Sequence, residues 1–349
     1  MRIAGVASAF PRQYYSQAEI AAALQRHWGG AMQNPQLLQR LSSRVGVEGR
    51  HLALPISAYD ALTTWGKAND AWIEAAEELG EQALCRSLTR AGFSEADVDA
   101  IFFVSVTGVA SPSIDARLIN RMHLREDVKR NPIFGLGCVA GAAGIARAAD
   151  YVRAYPRHVA ALISVELCSL TWQRGDLSMA NIISSGLFGD GAAAVIIAGR
   201  ERQAEGPRIL ASRSSFYRGT EDVMGWDISE EGFKIVLSTE VPKMVHKHLA
   251  HDIDAFLGEY DLGRDDIGTW IMHTGGPKVL EATAEALGLS EGALDASWQS
   301  LRRVGNLSSA SVLVVLEEFM NRRRPAPGSY SILAAMGPGF CAELVLLRW

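Results

Sequence analysis

Apolar and polar positions along this chain change period repeatedly, and the changes place strands and helices in turn. The start, Met1-Arg2-Ile3-Ala4-Gly5-Val6-Ala7, alternates like a strand. Ile101-Phe102-Phe103-Val104-Ser105-Val106 and Ala161-Leu162-Ile163-Ser164-Val165 are short apolar runs of the kind found in strands covered on both faces. Thr269-Trp270-Ile271-Met272-His273-Thr274 and Ser329-Tyr330-Ser331-Ile332-Leu333 read the same way. Between them, Ser113–Asn120 and Glu281–Gly288 carry helical periodicity. Strands alternating with helices predict an α/β chain whose sheets are covered by helices.

These elements recur at a constant offset. Ile101 and Thr269 are 168 residues apart, and the same step carries Ser113 to Glu281, Cys138 to Asn306 and Ala161 to Ser329. The repeat is one of pattern rather than identity. It predicts two pseudo-symmetric, five-stranded halves packed as helix–sheet–helix–sheet–helix layers. It also predicts that the helix starts at Cys138 and Asn306 meet at the centre. The polar run Arg200–Pro207 ends in Gly-Pro and marks the division, giving halves of residues 1–203 and 204–349.

Composition narrows the function class. The chain has 349 residues, 48% hydrophobic and 21% charged, which is ordinary for a globular enzyme. A formal net charge of −5 with no long basic tract disfavours nucleic-acid binding. No apolar run is long enough to span a bilayer, and the start lacks a signal peptide's apolar region, so the expected location is cytoplasmic. Cys85, Cys138, Cys168 and Cys341 are far apart without a CxxC pair, so neither zinc nor a disulfide framework is indicated.

Cys138 has a distinctive context, Phe134-Gly135-Leu136-Gly137-Cys138-Val139-Ala140-Gly141-Ala142-Ala143-Gly144. This reads as a tight turn feeding a small-residue helix. A helix N-terminus favours thiolate over thiol, so this cysteine is the candidate nucleophile. The other three read as packing cysteines. His273 closes a strand before Gly275-Gly276-Pro277, and Asn306 lies in Val304-Gly305-Asn306-Leu307-Ser308-Ser309. Cys, His and Asn beside glycine-rich backbone suggest acyl transfer through a thioester. His273 would pair with the thiolate, and Asn306 would donate to a developing oxyanion. Asn306 is equally an N-cap for the helix that follows. Phe188, before Gly189-Asp190-Gly191, is either a core aromatic or a residue presented at a cavity mouth. Arg40 and Arg44 share a helical face, either solvated or anion-binding.

Five segments together resemble the type III polyketide synthases, the chalcone-synthase-like members of the thiolase superfamily. They are Gly137–Gly141, Leu187–Val195, His273–Pro277, Gly305–Ala310 and Gly337–Phe340. The resemblance implies a thiolase-like fold, a homodimer, and coenzyme A thioester substrates with no further cofactor and no metal. It implies decarboxylative condensation of malonyl-CoA onto an acyl starter, followed by cyclisation. The triad would be Cys138, His273 and Asn306, with Phe188 as the gate. Thr107, Thr171, Trp226, Ile235 and Ser308 would line the substrate pocket, and Arg40 and Arg44 would bind coenzyme A.

The chain departs from the plant pattern at Leu37, Ser111, Ile235 and Ala335-Met336. Its Ser105–Leu118 segment is similar to bacterial alkylresorcinol and alkylpyrone synthases. Val106 stands where tetrahydroxynaphthalene synthases carry a cysteine. A fatty acyl starter giving an alkylpyrone or alkylresorcinol is therefore expected. The alternatives are a ketoacyl-acyl-carrier-protein synthase III-like enzyme and a non-catalytic thiolase-fold partner.

Overall fold

The computed structural model describes residues 1–28, 44–173 and 175–349. Its strands are β1 (Arg2–Ala9), β2 (Gln13–Ser16), β3 (Gly49–Leu52), β4 (Val98–Val104), β5 (Lys129–Ile133), β6 (Val159–Leu167), β7 (Asp190–Ala198), β8 (Arg208–Phe216), β9 (Met224–Ser229), β10 (Gly232–Leu237), β11 (Ile267–Met272), β12 (Tyr330–Gly337) and β13 (Cys341–Arg348). The helices are α1 (Gln17–Trp28), α2 (Trp65–Ala91), α3 (Ile114–Arg121), α4 (Ala140–Ala154), α5 (Met179–Leu187), α6 (Val241–Gly258), α7 (Pro277–Leu287), α8 (Asp295–Val304) and α9 (Ser311–Asn321).

The main sheet runs β11-β12-β13-β8-β1-β7-β6-β4-β5. Each half has a parallel outer portion, β5-β4-β6 in the first and β11-β12 in the second, and antiparallel strands toward the middle. The halves join at the single pair Arg2–Arg208.

Alternation along the strands sorts side chains into three cores. Ala100, Phe102 and Val104 of β4 face inward with Leu333 and Ala335 of β12, and α4 and α9 fill the space between. Ile101 and Phe103 face outward onto α2 and α3. Trp270 and Met272 face outward on the other side, onto α6 and α7. This is the predicted layering of helix, sheet, helix, sheet, helix. The 168-residue step holds for β4 and β11, α3 and α7, and β6 and β12.

One part of the expectation fails. The first half contributes five strands, but the second contributes four among the described residues. The counterpart of β5 would be residues 297–301, which lie within α8. Trp298, Leu301 and Val304 give that stretch a helical period, and its buried Ala296, Ser297, Leu301 and Val304 form one face. Among the described residues no helix is long and apolar enough to cross a membrane.

Candidate active site

Cys138 lies in a one-turn 3-10 segment, Gly137–Val139, that leads into α4. Gly137 has φ +54°, and a Cβ there would sit 2.7 Å from the ring of Pro338. The Gly337-Pro338-Gly339 turn therefore packs directly on the cysteine's turn, and only glycine fits at 137. From the other side, a Cβ at Gly141 would overlap the carbonyl of Ser309 and lie 2.8 Å from Val312 Cγ1. This close approach brings the two pseudo-equivalent helix starts together as the offset predicted, with Cys138 Sγ 3.8 Å from Ser308 Oγ.

The electrostatics differ from the simple helix-start argument. Burial pushes the Cys138 thiol up to about 12, although hydrogen bonds to Ser308 and Asn306 pull the other way. Burial also lowers His273 to about 4. Each group taken alone is held neutral, because desolvation inside the layered core outweighs the partial charge of one helix terminus.

Asn306 is not the N-cap of the segment that follows, which starts from Leu307 without a side-chain cap, but the oxygen end of its amide is used locally. Its Oδ1 accepts from Ser308 N at 2.8 Å and from Ser311 Oγ at 3.2 Å. Because both partners donate there, the Nδ2 end is left for the cavity. Ser308 is held at φ +47°, a left-handed conformation uncommon for a side-chain-bearing residue. The Asn306 backbone is bridged to the segment around Phe188: its N–H donates to Leu187 O, and Gly189 N–H donates to Asn306 O. His273 follows β11 and is tied by its N–H to Ala334 O at 3.0 Å. Its Nδ1 is buried with no partner among the described residues.

Two cavities meet at Phe188. The larger, about 400 Å³, has His273, Asn306 and Phe188 in its wall and apolar sides that include Met179, Val245 and Leu249. Arg44 and Lys278 are exposed cations on the same cavity. The smaller, about 10 Å³, is lined by Phe188, Thr171, Trp226, Ile235, Cys168 and their neighbours. The expected pocket residues Phe188, Thr171, Trp226 and Ile235 are thus brought together, and Ser308 lies against Cys138. Arg40 and Leu37 lie outside the described residues.

Thr107, like Cys138 and Ser308, is absent from the walls of both cavities. Its hydroxyl donates to Glu166 at 2.9 Å and accepts from Trp72 Nε1 and Leu167 N. Glu166 was missed, although a carboxylate inside the apolar run 159–167 was a visible signal. It also accepts from Ser105 Oγ, Val106 N and Ser309 Oγ. Burial nevertheless raises it to about 7. Cys168, read as a packing residue, faces the small cavity. Lys278 and the buried Arg50 were also overlooked.

Comparison with known proteins agrees with this geometry. Residues 12–211 match the family model described as FAE1/type III polyketide synthase-like protein, and residues 208–349 match the C-terminal domain of chalcone and stilbene synthases. A 1,3,6,8-tetrahydroxynaphthalene synthase of Streptomyces peucetius subsp. caesius is 50% identical, covering 99% of this chain and 93% of the relative. A phloroglucinol synthase of Pseudomonas fluorescens is 31% identical, covering 90% of this chain and 89% of the relative. The solved 1,3,6,8-tetrahydroxynaphthalene synthase of Streptomyces coelicolor superposes with a TM-score of 0.95 at 31% identity, covering 100% of this chain and 99% of that one. With both halves matched in order and the fold shared end to end, the chain belongs to the type III polyketide synthases and is an acyltransferase of the condensing type.

Proposed function

We propose that this enzyme primes with malonyl-CoA, extends with malonyl-CoA, and closes the chain to a compact polyhydroxylated aromatic, with Cys138, His273 and Asn306 as its catalytic residues. In loading, Cys138 Sγ attacks the thioester carbonyl while its proton passes to His273, and the coenzyme A thiolate leaves. In extension, malonyl-CoA loses carbon dioxide and the electron pair moves onto the thioester oxygen. Asn306 Nδ2 and a His273 N–H hold that oxyanion. The enolate carbon then attacks the Cys138-bound acyl group and frees the sulfur. Fixed donors at the oxygen where charge develops lower the barrier without reorganisation. The coenzyme A arm is assigned to the larger cavity, with Arg44 and Lys278 available to its phosphates.

The observation that carries the choice of starter is the small size of the space behind Phe188. A volume of about 10 Å³ is roughly what a single water needs. A chain that grows into this space must push its lining aside, and the demand rises with every methylene of the starter. The 50% identical relative points the same way. A tetrahydroxynaphthalene carries no alkyl tail, and its carbons divide into malonyl-derived pairs.

The second reading is the fatty acyl starter with an alkylpyrone or alkylresorcinol product, which the apolar sides of the larger cavity favour. Purified enzyme with malonyl-CoA alone should yield a naphthalene-mass product. A higher kcat/KM with decanoyl-CoA, and an alkylpyrone as main product, would overturn the malonyl reading. A homodimer belongs to the same proposal. Val109 and Phe134, exposed just beyond β4 and β5, offer apolar surface for it, and sedimentation of the purified chain tests it.

A further inference from the structure

Arg50 sits in β3 with its side chain entirely out of solvent. A buried guanidinium is costly unless its donors are used. Nη2 donates to Ser185 O at 2.7 Å, and Nη1 donates to Phe188 O at 2.5 Å. Nε has no partner among the described residues. No carboxylate pairs with it directly among the described residues. Asp190 supports the charge electrostatically while spending its own oxygens on Ala53 N, Ser169 N and Ser169 Oγ.

What Arg50 binds is the end of α5. Ser185 is in the last turn, and Phe188 is the residue that ends the helix, with φ −82° and ψ 139°. The last carbonyls of a helix lack intrahelical partners and carry partial negative charge, so a cation there satisfies both. The side chain's aliphatic part lies between two glycines. A Cβ at Gly189 would lie 3.2 Å from Arg50 Cβ, and a Cβ at Gly305 would lie 3.3 Å from Arg50 Cδ. Those glycines follow Phe188 and precede Asn306. The gate and the amide are already tied to each other by the Leu187–Asn306–Gly189 hydrogen bonds. One buried cation therefore touches both sides of the place where the two segments join.

We propose that Arg50 is a positioning residue: by holding the Phe188 carbonyl it fixes the gate and, through the Phe188–Asn306 bridge, the amide that faces the malonyl thioester. This rests on the role assigned to Asn306 above. It separates two steps that a merely structural residue would affect alike. Loading depends on Cys138, which belongs to the α4 turn. Decarboxylation depends on where Asn306 points.

The test uses Arg50→Met and Arg50→Lys in the full chain. Two rates are measured: iodoacetamide labelling of Cys138 by mass spectrometry, and malonyl-CoA decarboxylation with kcat and KM resolved. A displacement of about 1 Å at the amide is expected to lower kcat for decarboxylation by about 100-fold in Arg50→Met. The malonyl-CoA KM and the Cys138 labelling rate should stay within about twofold on the same argument. Arg50→Lys should recover activity at neutral pH. It should then lose it on the alkaline side, because a buried lysine gives up its proton more readily than arginine.

Equal loss of labelling and decarboxylation in Arg50→Met would overturn the proposal, as would retention of both. If Arg50→Met does not fold, the Arg50→Lys profile decides: an alkaline limb absent from wild type supports the role, and a wild-type profile refutes it. Asn306→Asp, assayed in parallel, keeps the two failures apart. If it still decarboxylates malonyl-CoA, the reading of the site is wrong, whatever Arg50 does.

Discussion

Gly141→Ala adds one methyl group at the point where the two halves of the active site touch. The new Cβ would overlap Ser309 O and lie 2.8 Å from Val312 Cγ1, where ordinary contact begins at 3.4 Å. Neither partner can turn aside, since one is backbone and the other sits in the central core between the sheets. Relief must come from moving α4 away from the 306–310 segment. Overpacking of this kind costs roughly 1–3 kcal/mol, against a gain of at most about 1 kcal/mol from replacing glycine in a helix. A net loss of up to about 2 kcal/mol in urea unfolding is expected from those two terms. The same shift separates Cys138 from Asn306, and about 1 Å of misplacement can cost about 100-fold in rate. The control is Gly258→Ala at the end of α6, where nothing lies within 4 Å of the added atom. It should leave activity unchanged and stability equal or slightly higher. If Gly141→Ala matches Gly258→Ala in both unfolding midpoint and kcat, the close approach does not organise the site.

Three further outcomes follow from the same geometry. His273→Gln removes the group that would accept the Cys138 proton and pair with the thiolate, so the midpoint of Cys138 alkylation against pH should move up, further in the direction in which burial already pushes the thiol; identical profiles would take His273 out of that role. Asn306→Asp keeps the acceptor used by Ser308 N and Ser311 Oγ but removes the donor, so decarboxylation should fall about 100- to 1000-fold while acylation of Cys138 continues, and equal loss of both steps would make Asn306 a structural residue only. Glu166 is raised by burial from 4.5 to about 7, so the folded chain keeps a proton that the unfolded chain releases. Its contribution to stability is full below the unfolded value and is lost as pH rises to about 7, on the order of 3 kcal/mol. Urea titrations of Glu166→Gln should lack that part of the decline, and parallel curves for the two proteins would refute it.

The repeat was legible because buried strands and amphipathic helices are written in local periods. Ile101–Val106 and Thr269–Thr274 each announce a covered strand, and a constant step between them needs no knowledge of the fold. Cys138, His273 and Asn306 stood out because each lies within two residues of a glycine, and at Cys138 the contacts of Gly137 and Gly141 show why the packed backbone requires it. Residues 297–301 misled the count of strands because the offset carries position and not conformation. There the local helical period of Trp298, Leu301 and Val304 prevailed.

The sequence by itself determined the layers and the pairing of the two helix starts and singled out the proposed reacting groups, since those depend on short-range pattern and residue chemistry. Only the tertiary structure decided what surrounds them. Thr107 turned toward Glu166, Arg50 was carried to the end of α5, and the space behind Phe188 was lined by Trp226 and Ile235 from a distant hairpin. Burial then moved the thiol, the imidazole and the carboxyl away from their ordinary ranges. Desolvation and cavity volume are sums over atoms brought from all along the chain, and no local window of sequence contains them.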